Sequence, residues 1–303
     1  MSKKKTIILA LFVMFLWGSL YPMVKLGFTA YQVKTTGDIL LFAGIRFTIC
    51  GLIISAFAFF KDKKSFIPVK TSIPQILLSG AFAVILHYTF IYVGLSLTES
   101  SKTAILEQVG LLFYVCFSFL FFKDDTLSAK KLIGAFVGFL GIIAINISST
   151  GFSFHLGDVF VISASFCTVF SNVVCKKTFT KVEPITATGC SQLFGGIVLL
   201  IVGLCMGGKV QFALDSSLWI MGYILIASIL SYCVWYKIIK ENNLSNMFII
   251  KFAEPLISCI LGALLLQENV FQWQYLLAFV LIASGIVLSN YKPKNKAKEK
   301  TDK

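Results

Sequence analysis

The amino-acid sequence predicts an all-α integral membrane protein of ten transmembrane helices, built as two inverted five-helix repeats. Three observations predict it. The 303 residues are 57% hydrophobic and 14% charged, with a mean hydropathy of +0.86. A soluble domain carries roughly 25% charged residues, so the surplus apolar surface must face lipid. Ten apolar stretches follow one another, each about the 20 residues that cross a bilayer. The loops between them alternate between Lys-rich and Lys-poor, as the positive-inside bias requires.

The first span runs over 6–29. Lys3, Lys4 and Lys5 ahead of an apolar run resemble a secretory leader. The run, however, continues past Trp17 to about Thr29 with no small-x-small cleavage site, so it reads as a membrane helix. The further spans are expected at 37–60, 73–97, 101–122, 130–149, 157–176, 184–206, 217–237, 246–267 and 271–291. The tail from Lys292 alternates Lys with polar residues and is expected to be disordered. With the N-terminus inside, 21 of the 27 Lys and Arg fall in inner segments. Only Lys34, Lys102 and Lys209 fall outside, while Lys25, Arg46 and Lys251 lie within spans. This places the chain in the cytoplasmic (cell) membrane with both termini cytoplasmic.

The repeat is read from spans 4–5 and 9–10. An offset of 147 lays Glu107 on Glu254 and Gly138 on Gly285. Five spans per half is an odd number, so the halves insert in opposite senses, with a site expected near the midplane between them. The units are residues 1–149 and 150–291, followed by the tail 292–303. One chain supplies both halves, so a monomer suffices, and a homodimer is the other state considered.

Several function classes are excluded. The net charge of +13 follows from the inner loops; no Arg-rich or aromatic-interleaved basic face is present, so no nucleic-acid partner is expected. The eight cysteines form no CxxC pair, and neither a metal nor a cofactor is expected. A phosphate-cradling glycine loop, His-Glu-x-x-His and Gly-x-Ser-x-Gly are all missing, which argues against an enzyme and against self-powered ATP hydrolysis.

Charged residues at bilayer depth are costly and usually face the bundle interior. Glu107 has no basic residue three or four positions away in its helix. It either receives an ammonium group or a proton, or pairs statically with Arg46 or Lys25. Lys251 and Glu254, three apart, share a helix face. They form either a neutralised pair or a grip for a zwitterion. Glu107, Glu254 and His87 are the candidates for carrying a proton.

Pro22 and Pro255 are expected to break their helices, freeing the carbonyls of Gly18 and Lys251. Polar and aromatic residues recur at helical spacing. Trp17, Tyr21 and Lys25 stripe span 1, and His87, Tyr88 and Tyr92 crowd span 3. Thr168, Ser171, Asn172 and Cys175 line span 6, and Ser228, Tyr232 and Trp235 line span 8. Aromatic walls beside a carboxylate suit an organic cation.

These residues carry a resemblance. Trp17-Gly18-Ser19 with Lys25, Arg46, Leu95 to Ala104, Gly157-Asp158, Ala253-Glu254-Pro255 to Leu266-Gln267-Glu268, and then Gln274 and Gly285, together resemble the EamA family of the drug/metabolite transporter superfamily. The resemblance spans nearly the whole chain. It implies ten helices in two inverted repeats and secondary transport by alternating access. Span 4 departs from the family, which commonly has a proline where this chain has Glu107-Gln108. That points to a pocket with a charge preference.

The expected solute is an amino acid or an organic amine. Its site would draw on Trp17, Tyr21, Tyr88, Tyr92, Glu107, Asn172, Trp235, Lys251 and Glu254. Proton coupling and exchange both fit. A membrane enzyme acting on a lipid-linked substrate and a passive channel are the alternatives.

Overall fold

Apolar runs of this length form helices in lipid because every backbone polar group must find its partner within the segment. The computed structural model describes residues 3–114, 129–148, 151–152, 154–212, 217–242, 247, 250–251 and 253–290. Its principal helices are α1 (Lys3–Ala30), α2 (Thr36–Lys61), α3 (Ile73–Leu97), α4 (Ser100–Leu106), α5 (Ala129–Ile145), α6 (Leu156–Thr178), α7 (Pro184–Cys205), α8 (Leu218–Glu241), α9 (Ala253–Leu266) and α10 (Trp273–Asn290). Six of them, α1 to α3 and α6 to α8, contain apolar spans of 22 to 27 residues, long enough to cross a membrane. Shorter apolar helices lie within α5, α9 and α10. Phe60, Leu264 and Phe271 are 83%, 72% and 93% exposed, as lipid-facing side chains are.

Local chemistry sets several helix ends. Thr35 and Asp38 form a reciprocal capping box at α2, with Thr35 N donating to Asp38 Oδ2 at 2.8 Å and Asp38 N to Thr35 Oγ1 at 3.2 Å. At α7, the Glu183 carboxylate accepts from Ile185 N and Thr186 N, while Pro184 fills the first helical position.

Three sequence expectations need correcting. The fifth span does not reach 149. Asn146 folds its amide back onto the Ile142 carbonyl at 2.8 Å, α5 ends at Ile145, and Ile147–Ser148 pairs antiparallel with Gly151–Phe152. Among the described residues the fold is therefore helical with one small two-stranded ladder. The loop after α2 holds short helical turns at Lys63–Phe66 and Ile67–Thr71. Pro22 does not break α1, which runs through it to Ala30. The ninth span is not one unbroken helix: Met247 and Ile250 are helical, Lys251 lies in a turn and α9 runs from Ala253, while 246, 248–249 and 252 lie outside the described residues. Residues 115–122 of the fourth span and the tail from 291 lie outside the described residues.

The helices pack as pairs. α2 lies antiparallel to α7: Leu41 meets Gly203, Phe47 and Thr48 meet Gly196, and Ser55 meets Gly189. Any side chain at Gly44 or Gly196 would collide with the backbone of the partner helix, which is why glycine stands at this crossing. α5 packs antiparallel on α10, where Gly138 meets Gly285 and Gly141 meets Ile282. The remaining principal contacts join α3 to α6, α3 to α7, α1 to α8, α1 to α9 and α4 to α9.

Candidate functional site: a polar cavity between the helices

The aromatic stripes read from the sequence turn toward one another. Trp17, Leu20, Tyr21 and Val24 come from one face of α1, and His87, Tyr88, Ile91, Tyr92 and Leu95 from one face of α3. α6 contributes Thr168, Ser171 and Asn172, and α8 contributes Tyr232, Trp235 and Tyr236. With Arg46 from α2, Glu107, Lys251 and Glu254, they line a cavity of about 80 Å³. One water needs about 10–15 Å³ on this measure, so several waters or a small solute fit.

The wall is held by ring contacts. Trp17 packs edge-on against Trp235 at 5.2 Å and Tyr232 at 5.7 Å. Tyr88 sits between His87 (4.6 Å) and Tyr92 (5.2 Å), and its hydroxyl bonds that of Tyr232. The Trp235 indole N–H donates to Asn172 Oδ1 at 3.2 Å, fixing the ring's tilt.

Two backbone interruptions place the acids. α4 ends at Leu106, Glu107 and Gln108 form a turn, and helix resumes over 109–114. Through this turn the bonds tighten to three-residue spacing, as in Gln108 N to Ile105 O at 3.1 Å and Leu111 N to Gln108 O at 3.0 Å. Before α9, the Lys251 carbonyl, which Pro255 cannot reach, accepts from Glu254 N at 3.0 Å. The freed acceptor is thus satisfied by a tighter turn. Close approach of α1 to α9 depends on Gly18, where a Cβ would stand 2.5 Å from the Glu254 carbonyl oxygen.

The two carboxylates meet at one phenol. The Tyr21 hydroxyl donates to Glu107 Oε2 and lies 3.0 Å from Glu254 Oε1. Glu254 also pairs with Lys251 at 3.7 Å, and the Lys251 ammonium lies 5.3 Å above the Trp17 ring. Thr168 Oγ1 donates to Glu107 Oε1 at 3.2 Å and lies 2.9 Å from His87 Nδ1, which also faces the Ala164 carbonyl at 3.2 Å. A hydrogen-bonded chain therefore runs from His87 through Thr168 to Glu107. Among the described residues, no ion pair engages Glu107.

All ten cavity residues expected from the sequence, the nine wall and charge positions and His87, line this space. Pro22 and Pro255 do not. The static pairing of Glu107 with Lys25 or Arg46 is not found. Lys25 donates to the Thr98 carbonyl at 2.5 Å and lies 3.9 Å from Glu268, while Arg46 binds Ser228 and Tyr92. Sequence reasoning missed Tyr236 and the aliphatic wall; for Tyr236 the signal was its place four residues beyond Tyr232 on the same face of α8. No group of three or more His, Cys, Asp or Glu that could hold a metal occurs among the described residues.

A bundle of apolar helices around a cavity lined by aromatic, polar and charged side chains defines a multi-pass membrane protein, and comparison with known proteins makes it a membrane transporter. The EamA-like transporter family model matches residues 4–147 and 155–291, and the chain belongs to that family. Among its relatives, the uncharacterized transporter YvbV of Bacillus subtilis is 26% identical over 97% of this chain and 94% of its own length. The uncharacterized inner membrane transporter YedA of Escherichia coli is 24% identical over 92% and 89%. A solved crystal structure aligns with a TM-score of 0.68 over 95% of this chain and 97% of that one, at 16% identity, a likeness of fold alone.

Proposed function

We propose that this protein is a secondary carrier, not an enzyme, that moves a small amine-bearing metabolite across the cytoplasmic membrane by alternating access. The solute is an amino acid or an organic amine. It sits in the cavity between two inverted halves, residues 1–149 and 150–291, with Glu107 receiving its ammonium group and Trp17, Tyr88, Tyr92 and Trp235 as walls.

One observation carries this reading: Glu107 and Glu254, equivalent at the offset of 147, come from different halves of the chain and meet at the Tyr21 hydroxyl in one cavity. Each lies at a break in its helix, Glu107 within the turn after α4 and Glu254 three residues after the turn at Lys251, and broken helices are how transporter repeats build midplane sites. The packing supports the inversion. Exchanging α1–α5 with α6–α10 maps the α3–α6 contact onto α8–α1, and leaves α2–α7, α4–α9 and α5–α10 paired with themselves. A two-fold axis in the membrane plane makes such self-paired helices antiparallel, as α2–α7 and α5–α10 are. Two separate matching segments in the family comparison agree with that division. The His87–Thr168–Glu107 chain offers a route for proton coupling, and exchange fits the same site.

The test is counterflow in proteoliposomes preloaded with a panel of unlabelled amino acids and amines. Saturable uptake of labelled solute, accelerated by the preload, is expected. Linear, non-saturable flux would instead indicate a channel, and release of a chemically altered product an enzyme.

A further inference from the structure

We propose that Arg46 is the anion-binding group of this cavity, so that the carrier selects solutes bearing a carboxylate over bare amines. The inference rests on the carrier reading and narrows its solute class.

Arg46 is 1% exposed and borders the cavity. Its position is fixed from several sides. Nε donates to Ser228 Oγ at 2.9 Å, Nη1 donates to the Tyr92 hydroxyl, and the guanidinium carbon lies 4.7 Å from the Phe47 ring centroid and 5.3 Å from that of Tyr88. Among the described residues, Nη2 has no hydrogen-bond partner and no carboxylate pairs with the guanidinium. A guanidinium carries five donors and stays charged at every physiological pH. Buried without a counter-charge, it is strongly unfavourable, and a merely structural arginine at this depth is ordinarily paired. Both nearby acids are committed elsewhere: Glu254 to Lys251, and Glu107 to Tyr21 and Thr168. The missing partner is therefore supplied by what enters the cavity. A carboxylate, planar and doubly accepting, matches the open edge of the fork.

The placement fits a zwitterion. On α3, His87 marks the Glu107 pole through Thr168, and Tyr92 marks the Arg46 pole. Five residues separate them, about 7.5 Å along a helix axis at 1.5 Å per residue. Both poles border the same small cavity, so an ammonium and a carboxylate carried on one small solute can face them together. Tyr88 walls the stretch between the poles.

The test is competition in wild-type proteoliposomes, with a transported amino acid challenged by itself, by its methyl ester and by the amine lacking its carboxyl group. Losing one charge-assisted bond weakens binding roughly 10- to 100-fold, and the ester and the amine are expected to compete that much less well. Arg46→Gln should weaken the amino acid by a similar factor while leaving the amine unchanged, and Arg46→Lys should recover part of the loss. Equal competition by amine and amino acid in the wild type overturns the role of Arg46 and leaves the carrier standing. Counterflow of neither overturns the carrier reading and this inference with it. The wild-type competition decides the matter even if the variants fail to fold.

Discussion

Glu268 offers the sharpest test of how the site is supported. It follows α9, yet its carboxylate caps α4 from across the bundle, accepting from Ser100 N at 2.7 Å, Ser101 N at 3.0 Å and Ser101 Oγ at 2.5 Å. The side chain is 6% exposed, so water cannot replace it freely. Glu268→Ala leaves two helix-terminal N–H groups and a hydroxyl unpaired. Loss of a cap costs about 0.5–2 kcal/mol and a charge-assisted bond about 1.5–3 kcal/mol, so a total near 3 kcal/mol is expected. At roughly 2–4 °C per kcal/mol for a chain of this size, the midpoint falls by about 6–12 °C. Glu268→Gln keeps an acceptor and should lose about half as much. Lys25→Met should change little: its 3.9 Å approach to Glu268 is partly exposed, and such pairs contribute about 0–1 kcal/mol. Thermal unfolding in detergent, followed by the monodisperse fraction on size exclusion, reads all three. Because Glu107 lies at the other end of α4, Glu268→Ala should also weaken solute binding. A Glu268→Ala protein melting within about 2 °C of wild type would refute the cap as a support of the site.

Two further outcomes follow from packing and charge. Gly18→Val places a branched side chain where even a Cβ meets the Glu254 carbonyl and Ile257; overpacking of this kind costs about 1–3 kcal/mol, and solute uptake should fall more than stability because α9 is pushed off the cavity. For topology, single cysteines placed at Lys209 and Lys64 in a background lacking the native thiols should differ. A membrane-impermeant maleimide on intact cells should label Lys209→Cys and spare Lys64→Cys, and the reverse would invert the assigned orientation.

The long spans were legible because hydrophobic length is a property of the local sequence: 37–60 was expected where α2 covers Thr36–Lys61, and 73–97 where α3 covers Ile73–Leu97. The wide helical turn over Ala81–Leu86 inside α3 was not, since a run of Ala, Phe, Val, Ile and Leu marks no departure from the ordinary helix. The wall of the cavity was legible from helical spacing and from the rule that polar groups at bilayer depth face inward. The partners of those groups were not. Tyr21 bridging Glu107 and Glu254, or Glu268 capping α4, joins residues more than 80 positions apart, and nothing in the local pattern encodes such pairings. The same limit misdirected the expected partner of Glu107. Lys25 and Arg46 were the mid-span cations nearest in the chain, yet their own helices aim them at Thr98 and at Ser228.

The central claim is that the cavity carries solute by means of Glu107. The most direct measurement is counterflow of a labelled amino acid, with wild type and Glu107→Gln side by side in proteoliposomes of matched protein content and confirmed monodispersity. Saturable, preload-accelerated uptake by the wild type, with a loss of at least about tenfold in the variant, is the predicted result. Undiminished counterflow by Glu107→Gln would contradict it, leaving a carrier whose solute is held elsewhere.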